Sequence, residues 1–109
     1  ALDNVQTGEV TVAVRDARFG SIEVTAGDFI GLRDGELTTR GESPEAIVLT
    51  LLDQMQADEA EIITIYYGEP VSSAAAEALV ATLQDRYPEQ EIELIDGGQP
   101  HYHYILSVE

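Results

Sequence analysis

Ile62-Ile63-Thr64-Ile65-Tyr66-Tyr67-Gly68, then residues 72–87, then Ile92, Leu94 and Ile95, decide the fold of this 109-residue chain. The first run is apolar and β-branched without alternation, as expected of a central strand covered on both faces, and Gly68 ends it. From Ser72 the period becomes helical. Ala76, Leu79, Val80, Leu83 and Tyr87 share one face, and Pro88 is the stop. Ile92, Leu94 and Ile95 then form the next strand. Strand, helix and strand within about 35 residues make a βαβ unit, with a right-handed crossover and parallel strands.

Beyond this unit, a Gly97-Gly98-Gln99-Pro100 turn leads to a last strand. Alternation places Tyr102, Tyr104, Leu106 and Val108 on one face of it, and the strand is expected to run antiparallel at or near the sheet edge. Upstream, Ser43-Pro44-Glu45 supplies a capping hydroxyl, a proline suited to the first helical position and an acid at the positive helix end. A helix follows, with Val48, Leu51, Leu52 and Met55 on its apolar face, fading into Ala57-Asp58-Glu59. Earlier still, Val10, Val12 and Val14 alternate with Glu9, Thr11 and Ala13, and Gly20 breaks that strand. Residues 21–25 and 28–33 are further strands, and Asp34-Gly35 is a two-residue hairpin signal. The fold class is α/β (α+β): a mixed sheet built from N-terminal antiparallel strands and a hairpin, then a helix, a βαβ unit and a final antiparallel strand. Residues 1–109 are expected to be a single domain, with a β unit over 1–40 and an αβαββ unit over 41–109.

Hydrophobic residues make up 44% of the chain, enough for one core, and no stretch nears the roughly 20 apolar residues that span a bilayer. Five arginines and no lysine face 21 acids, for a net charge of −16. Such a surface repels nucleic acid and anionic membranes. The charge is uneven, because Arg86 is the only arginine after residue 40. That half either steers a basic protein partner or is simply a solvated acidic surface. The absence of cysteine removes disulfides, thiolate zinc sites and thiol nucleophiles from this chain and suits a cytoplasmic protein. The start, Ala1-Leu2-Asp3, carries neither an initiator methionine nor a signal peptide, so a preceding segment is expected.

In open α/β sheets ligands gather beyond the carboxyl ends of parallel strands. Two loops fit that position: Tyr67-Gly68-Glu69-Pro70, and residues 96–100 leading into His101-Tyr102-His103-Tyr104. Their glycines could bring backbone N–H groups close to an anion or partner loop, or could merely allow turns. His101 and His103 are expected on the same side of a strand, where Asp96 or Glu69 could join them around a metal or where they could face a partner. Tyr66, Tyr67, Tyr102 and Tyr104 crowd two neighbouring segments, as at an interface or under a helix. Glu89, Glu91 and Glu93 read as a solvated strand face. No phosphate loop, nucleophile elbow or Ser/His/Asp constellation appears. The candidate partner- or ligand-binding residues are therefore Tyr67, Gly68, Glu69, Gly97, Gly98, Gln99, His101, Tyr102 and His103, with no catalytic or metal assignment.

Several stretches together resemble one family. Thr7-Gly8-Glu9-Val10-Thr11, Ala13-Val14-Arg15-Asp16, Gly27-Asp28-Phe29-Ile30-Gly31-Leu32, Thr64-Ile65-Tyr66-Tyr67-Gly68-Glu69, Gly97-Gly98-Gln99-Pro100 and the ending Ser107-Val108-Glu109 are similar to the C-terminal part of the dihydroxyacetone-kinase-like fatty-acid kinase (YloV-type) proteins of bacteria. The resemblance implies a DegV-like domain that docks a separate DegV-like fatty-acid-binding carrier. It implies too that an N-terminal kinase domain phosphorylates the carried acid and holds ATP and magnesium, leaving no cofactor or catalytic residue here. A homodimer of the whole protein is a further implied possibility. DegV-like carriers have a His-x-Gly-Pro-Gly type loop where this chain has Gly97 to Pro100, and the matching histidine is absent, which speaks against direct fatty-acid binding. A small carboxylate or phosphate module, or an intramolecular or dimerisation domain, is the competing reading.

Overall fold

The computed structural model describes residues 5–109. In chain order these form β1 (Gln6–Val12), β2 (Ala17–Phe19), β3 (Ile22–Val24), β4 (Phe29–Arg33), β5 (Glu36–Gly41), α1 (Pro44–Gln54), a 3-10 turn (Ala57–Glu59), β6 (Ile62–Tyr67), α2 (Ser73–Arg86), β7 (Glu91–Asp96) and β8 (Tyr102–Val108). The expected mixed α+β class is observed. Six strands make one sheet in the order β5-β4-β1-β8-β6-β7, and β2 pairs with β3 in a separate hairpin beside β5.

Local chemistry explains the boundaries. The Ser43 side chain accepts from the Ala46 N–H at 3.1 Å with Pro44 at the first helical position, so α1 starts where the cap satisfies an otherwise orphaned donor. Ser72 caps α2 in the same way through Ala75. At the β4–β5 turn Asp34 and Gly35 have φ of 50° and 88°, the two left-handed residues of a tight hairpin whose twist matches its strands.

The parallel β6–β7 pair and its α2 crossover stand as expected. The last strand, however, is not at the edge. β8 lies between β1 and β6 and pairs antiparallel with both, so it joins the N-terminal strands to the βαβ unit in one continuous sheet. The edge belongs to β7, because the crossover carries the chain outward over β6. β1 also ends sooner than expected: Val14 is 85% exposed, beyond the point where Ala13 donates to Asp28.

Both helices contribute to one buried cluster. Ile47, Leu51 and Leu52 of α1 and Ala76, Leu79 and Leu83 of α2 meet Val10, Ile63, Ile65, Tyr104, Leu106 and Val108 of the sheet. Both helices therefore cover the same face; among the described residues no second layer covers the other face of residues 62–67, although Thr64 on that face is only 9% exposed. Close packing there explains Gly31, since a Cβ on it would come within 2.6 Å of Ile47 Cγ2 and 2.9 Å of Thr39 Cγ2.

Candidate functional site

The two loops singled out from the sequence do meet, at the carboxyl end of β6, and they close upon each other. Gly68 N–H donates to the His103 carbonyl at 2.9 Å and Glu69 N–H to the Gln99 carbonyl at 2.9 Å. Gly97 and Gly98 both donate to the Tyr67 carbonyl, at 3.0 and 3.3 Å. The Gln99 side chain sits inside this knot, donating to the carbonyls of Tyr66 at 3.1 Å and Tyr102 at 3.4 Å. A Cβ on Gly68 would collide with the Tyr102 carbonyl and lie 2.6 Å from that of Gln99. Gly68 thus serves a close approach of backbones and Gly97 leaves room for the Gln99 side chain, and the N–H groups of Gly68, Glu69, Gly97 and Gly98 already have partners, so none is left aimed at an anion.

The histidines do not act as a pair. The β1–β8 register shifts between Val10 and Thr11, which face Tyr104 and Tyr102, and His103 is the extra residue of this bulge. His103 consequently turns to the helix side with Tyr104, its ring edge-on to Phe29 at 5.4 Å between centroids. Tyr102 falls opposite Thr11 on the uncovered face, correcting the expectation that it shares a face with Tyr104, Leu106 and Val108. His101 precedes the strand, exposed, with φ of 71° and its carbonyl accepting from the Thr11 hydroxyl at 2.7 Å. Alternation fails here because a bulge adds one residue to one strand only.

On the covered side the Tyr104 hydroxyl donates to Glu45 Oε2 at 2.9 Å. Burial raises the phenol's pKa well above its usual range, and the adjacent Glu45 carboxylate raises it further. Burial likewise lowers the pKa of His103, opposed by Glu45, and His103 Nδ1 has no hydrogen-bond partner among the described residues. Sequence reasoning gives Glu45 only a helix-end role; its tyrosine partner lies 59 residues away and no local pattern announces it. Tyr67 is half-buried against the core, whereas Glu69, Gly97, Gly98 and His101 have their outer surfaces in solvent.

Among the described residues no three His, Cys, Asp or Glu side chains come together as a metal-ligand set. Cavities of about 570 and 600 Å³ open elsewhere, the first around Met55, Ile62 and Glu109 at the opposite end of the sheet, the second between the small hairpin and β5. Among the described residues no helix is long and apolar enough to cross a membrane. What the loop cluster offers chemically is a rigid surface and not a pocket.

Residues 1–109 match the FakA-like C-terminal family, the C-terminal domain of proteins like the A-type subunit of fatty acid kinase. The chain is 38% identical to an uncharacterized protein of Staphylococcus haemolyticus and 38% identical to protein YloV of Bacillus subtilis, over 109 residues in each case. It is 33% identical over the same length to an uncharacterized protein of Staphylococcus aureus strain MRSA252. Each match covers 100% of this chain and 20% of the relative, so the chain spans about a fifth of the length of the curated relatives it matches.

Proposed function

The chain belongs to the family of FakA-like fatty acid kinase C-terminal domains, and from that premise we propose that it is a non-catalytic docking module. In this reading it recruits a DegV-like fatty-acid-binding carrier to a parent kinase. ATP and magnesium are held by an N-terminal domain of that parent, which transfers the γ-phosphoryl group to the acyl carboxylate and releases ADP. The observation that carries the reading is the closure of the β6 and β7 loops by their own hydrogen bonds. That closure disfavours the competing small-ligand module, because a small carboxylate or phosphate would need free donors and a hollow there, whereas docking of a protein needs neither.

The test is calorimetric titration of the full-length parent protein with the palmitate-loaded DegV-like protein from the same genome. Saturable binding is expected, lost when residues 1–109 are deleted, with ATP binding retained. Equal binding by the deleted protein would overturn the docking role.

A further inference from the structure

The helices leave one face of the sheet bare, and that face is not polar throughout. Cross-strand pairing lines up Ile95, Tyr66, Ile105, Glu9 and Leu32 as successive neighbours on β7, β6, β8, β1 and β4. Ile95 is 42% exposed and the other four are partly exposed. Tyr102 stands in the next row, opposite Thr11. An antiparallel sheet with one wet face ordinarily alternates apolar inward with polar outward. Here one row breaks that rule with large apolar and aromatic side chains, while the neighbouring row, Glu93, Thr64, Ser107 and Thr7, keeps it. Four strand spacings of about 4.8 Å carry the row across roughly 19 Å, the footprint of a protein surface and not of a small carboxylate.

The charges of this face select the partner. Glu9 is half-buried between Ile105 and Leu32 and has no salt bridge among the described residues. Arg33 donates to Gln6 at 3.0 Å and Arg40 pairs with Asp28 at 3.5 Å, so neither answers it. Glu91 and Glu93, both exposed, border the patch on β7. A second copy of this chain would set these carboxylates against their own kind, with a net charge of −16 on each side. A partner with an apolar centre and a lysine or arginine aimed at Glu9 fits.

We infer that the open sheet face, centred on Tyr66, Ile95 and Ile105 with Glu9 in its row, is where the carrier docks through an apolar, basic-rimmed surface. The inference rests on the docking reading above and places the contact on the flat of the sheet instead of the loops at its end. It is tested with the full-length parent protein and the palmitate-loaded DegV-like protein, using Tyr66→Ala, Ile95→Ala and Glu9→Gln, with Phe19→Ala on the small hairpin as control. Tyr66→Ala is expected to weaken binding about thirtyfold, the scale of an aromatic hot spot. Ile95→Ala should weaken it about fivefold, and Glu9→Gln should weaken it and flatten its dependence on salt. Phe19→Ala should leave it unchanged. Circular dichroism checks the fold, and should Tyr66→Ala unfold, Ile95→Ala and Glu9→Gln still decide. Normal binding by these face variants, with the domain deletion still abolishing it, would overturn the face and leave the docking reading standing. Binding that survives the deletion would overturn both. Conversion of a parent dimer to monomer by the face variants, with carrier binding intact, would assign the face to a second copy and overturn the inference.

Discussion

Two pairs of tyrosines, close in sequence, end up in opposite environments. Tyr67 and Tyr104 are cross-strand partners under the helices, and Tyr104 is fully buried with its hydroxyl on Glu45. Tyr66 and Tyr102 lie on the bare face, both partly exposed. The same side-chain chemistry is spent on cohesion on one face and left available for contact on the other. Substitutions of immediate neighbours should therefore separate stability from binding.

The sharpest break of this contrast is between Leu106 and Ile105. Leu106 is fully buried in the helix-covered core, and Leu106→Ala should cost about 2 to 5 kcal/mol through lost burial and the cavity left behind. Ile105, one residue away on the open face, can have its replacement hydrated, so Ile105→Ala should cost about 1 kcal/mol. Urea unfolding of the two variants measures both, and equal losses would mean that both faces are covered.

The loop knot gives the next effect. Gly68→Ala drives a Cβ into the carbonyls of Tyr102 and Gln99, and backbone on both sides leaves little room to yield. A loss of about 1 to 3 kcal/mol is expected, as for other overpacked sites. Full stability in urea would show that the loops part easily and that their hydrogen bonds do not hold this end rigid.

Tyr104→Phe is smaller again. It removes the hydrogen bond to Glu45, and the half-exposed carboxylate can turn to water, so about 1 kcal/mol should be lost. Tyr66→Phe on the bare face, where no hydroxyl hydrogen bond is found among the described residues, should change stability by only a few tenths of a kcal/mol. The pair of variants, compared by thermal unfolding, isolates the polar anchor beneath the helices.

The elements themselves were legible because local chemistry dictates them: the Ser43 and Ser72 caps, Pro44, Pro88 and the Asp34-Gly35 turn mark ends that the chain does adopt. Strand order was not legible. Nothing local in Tyr102–Val108 states that the strand slots between β1 and β6, because that choice is set by closing the sheet across distant segments. The site residues were half legible. The two loops come together as their position after parallel strands implies, yet Gly68 and Gly97 serve packing and Gly98, with φ of 65°, serves the turn. The split of the tyrosines and histidines between faces hangs on one bulge residue, His103, which alternation cannot foresee. The apolar row on the bare face was hidden for a related reason. A continuous run such as Ile63-Thr64-Ile65-Tyr66 reads as buried on both sides whether a second layer of the same chain covers it or a partner does.

The smallest effect concerns pH. His103 has its pKa lowered by burial beside Phe29, with Glu45 pulling the other way. The unfolded chain binds the His103 proton near the ordinary value of 6.5, while the folded chain binds it only at lower pH. Stability contributed by the neutral ring is thus complete above about pH 6.5 and declines as pH falls from there through the folded value, because the unfolded state takes up a proton the folded state refuses. His103→Phe keeps an aromatic edge against Phe29 and removes the titration. Urea unfolding between about pH 7.5 and pH 5, which brackets the ordinary histidine range, should show a shallower acid slope for His103→Phe than for the native chain. Parallel slopes would mean that His103 is as well solvated as Tyr102, and that the bulge does not carry it under the helices.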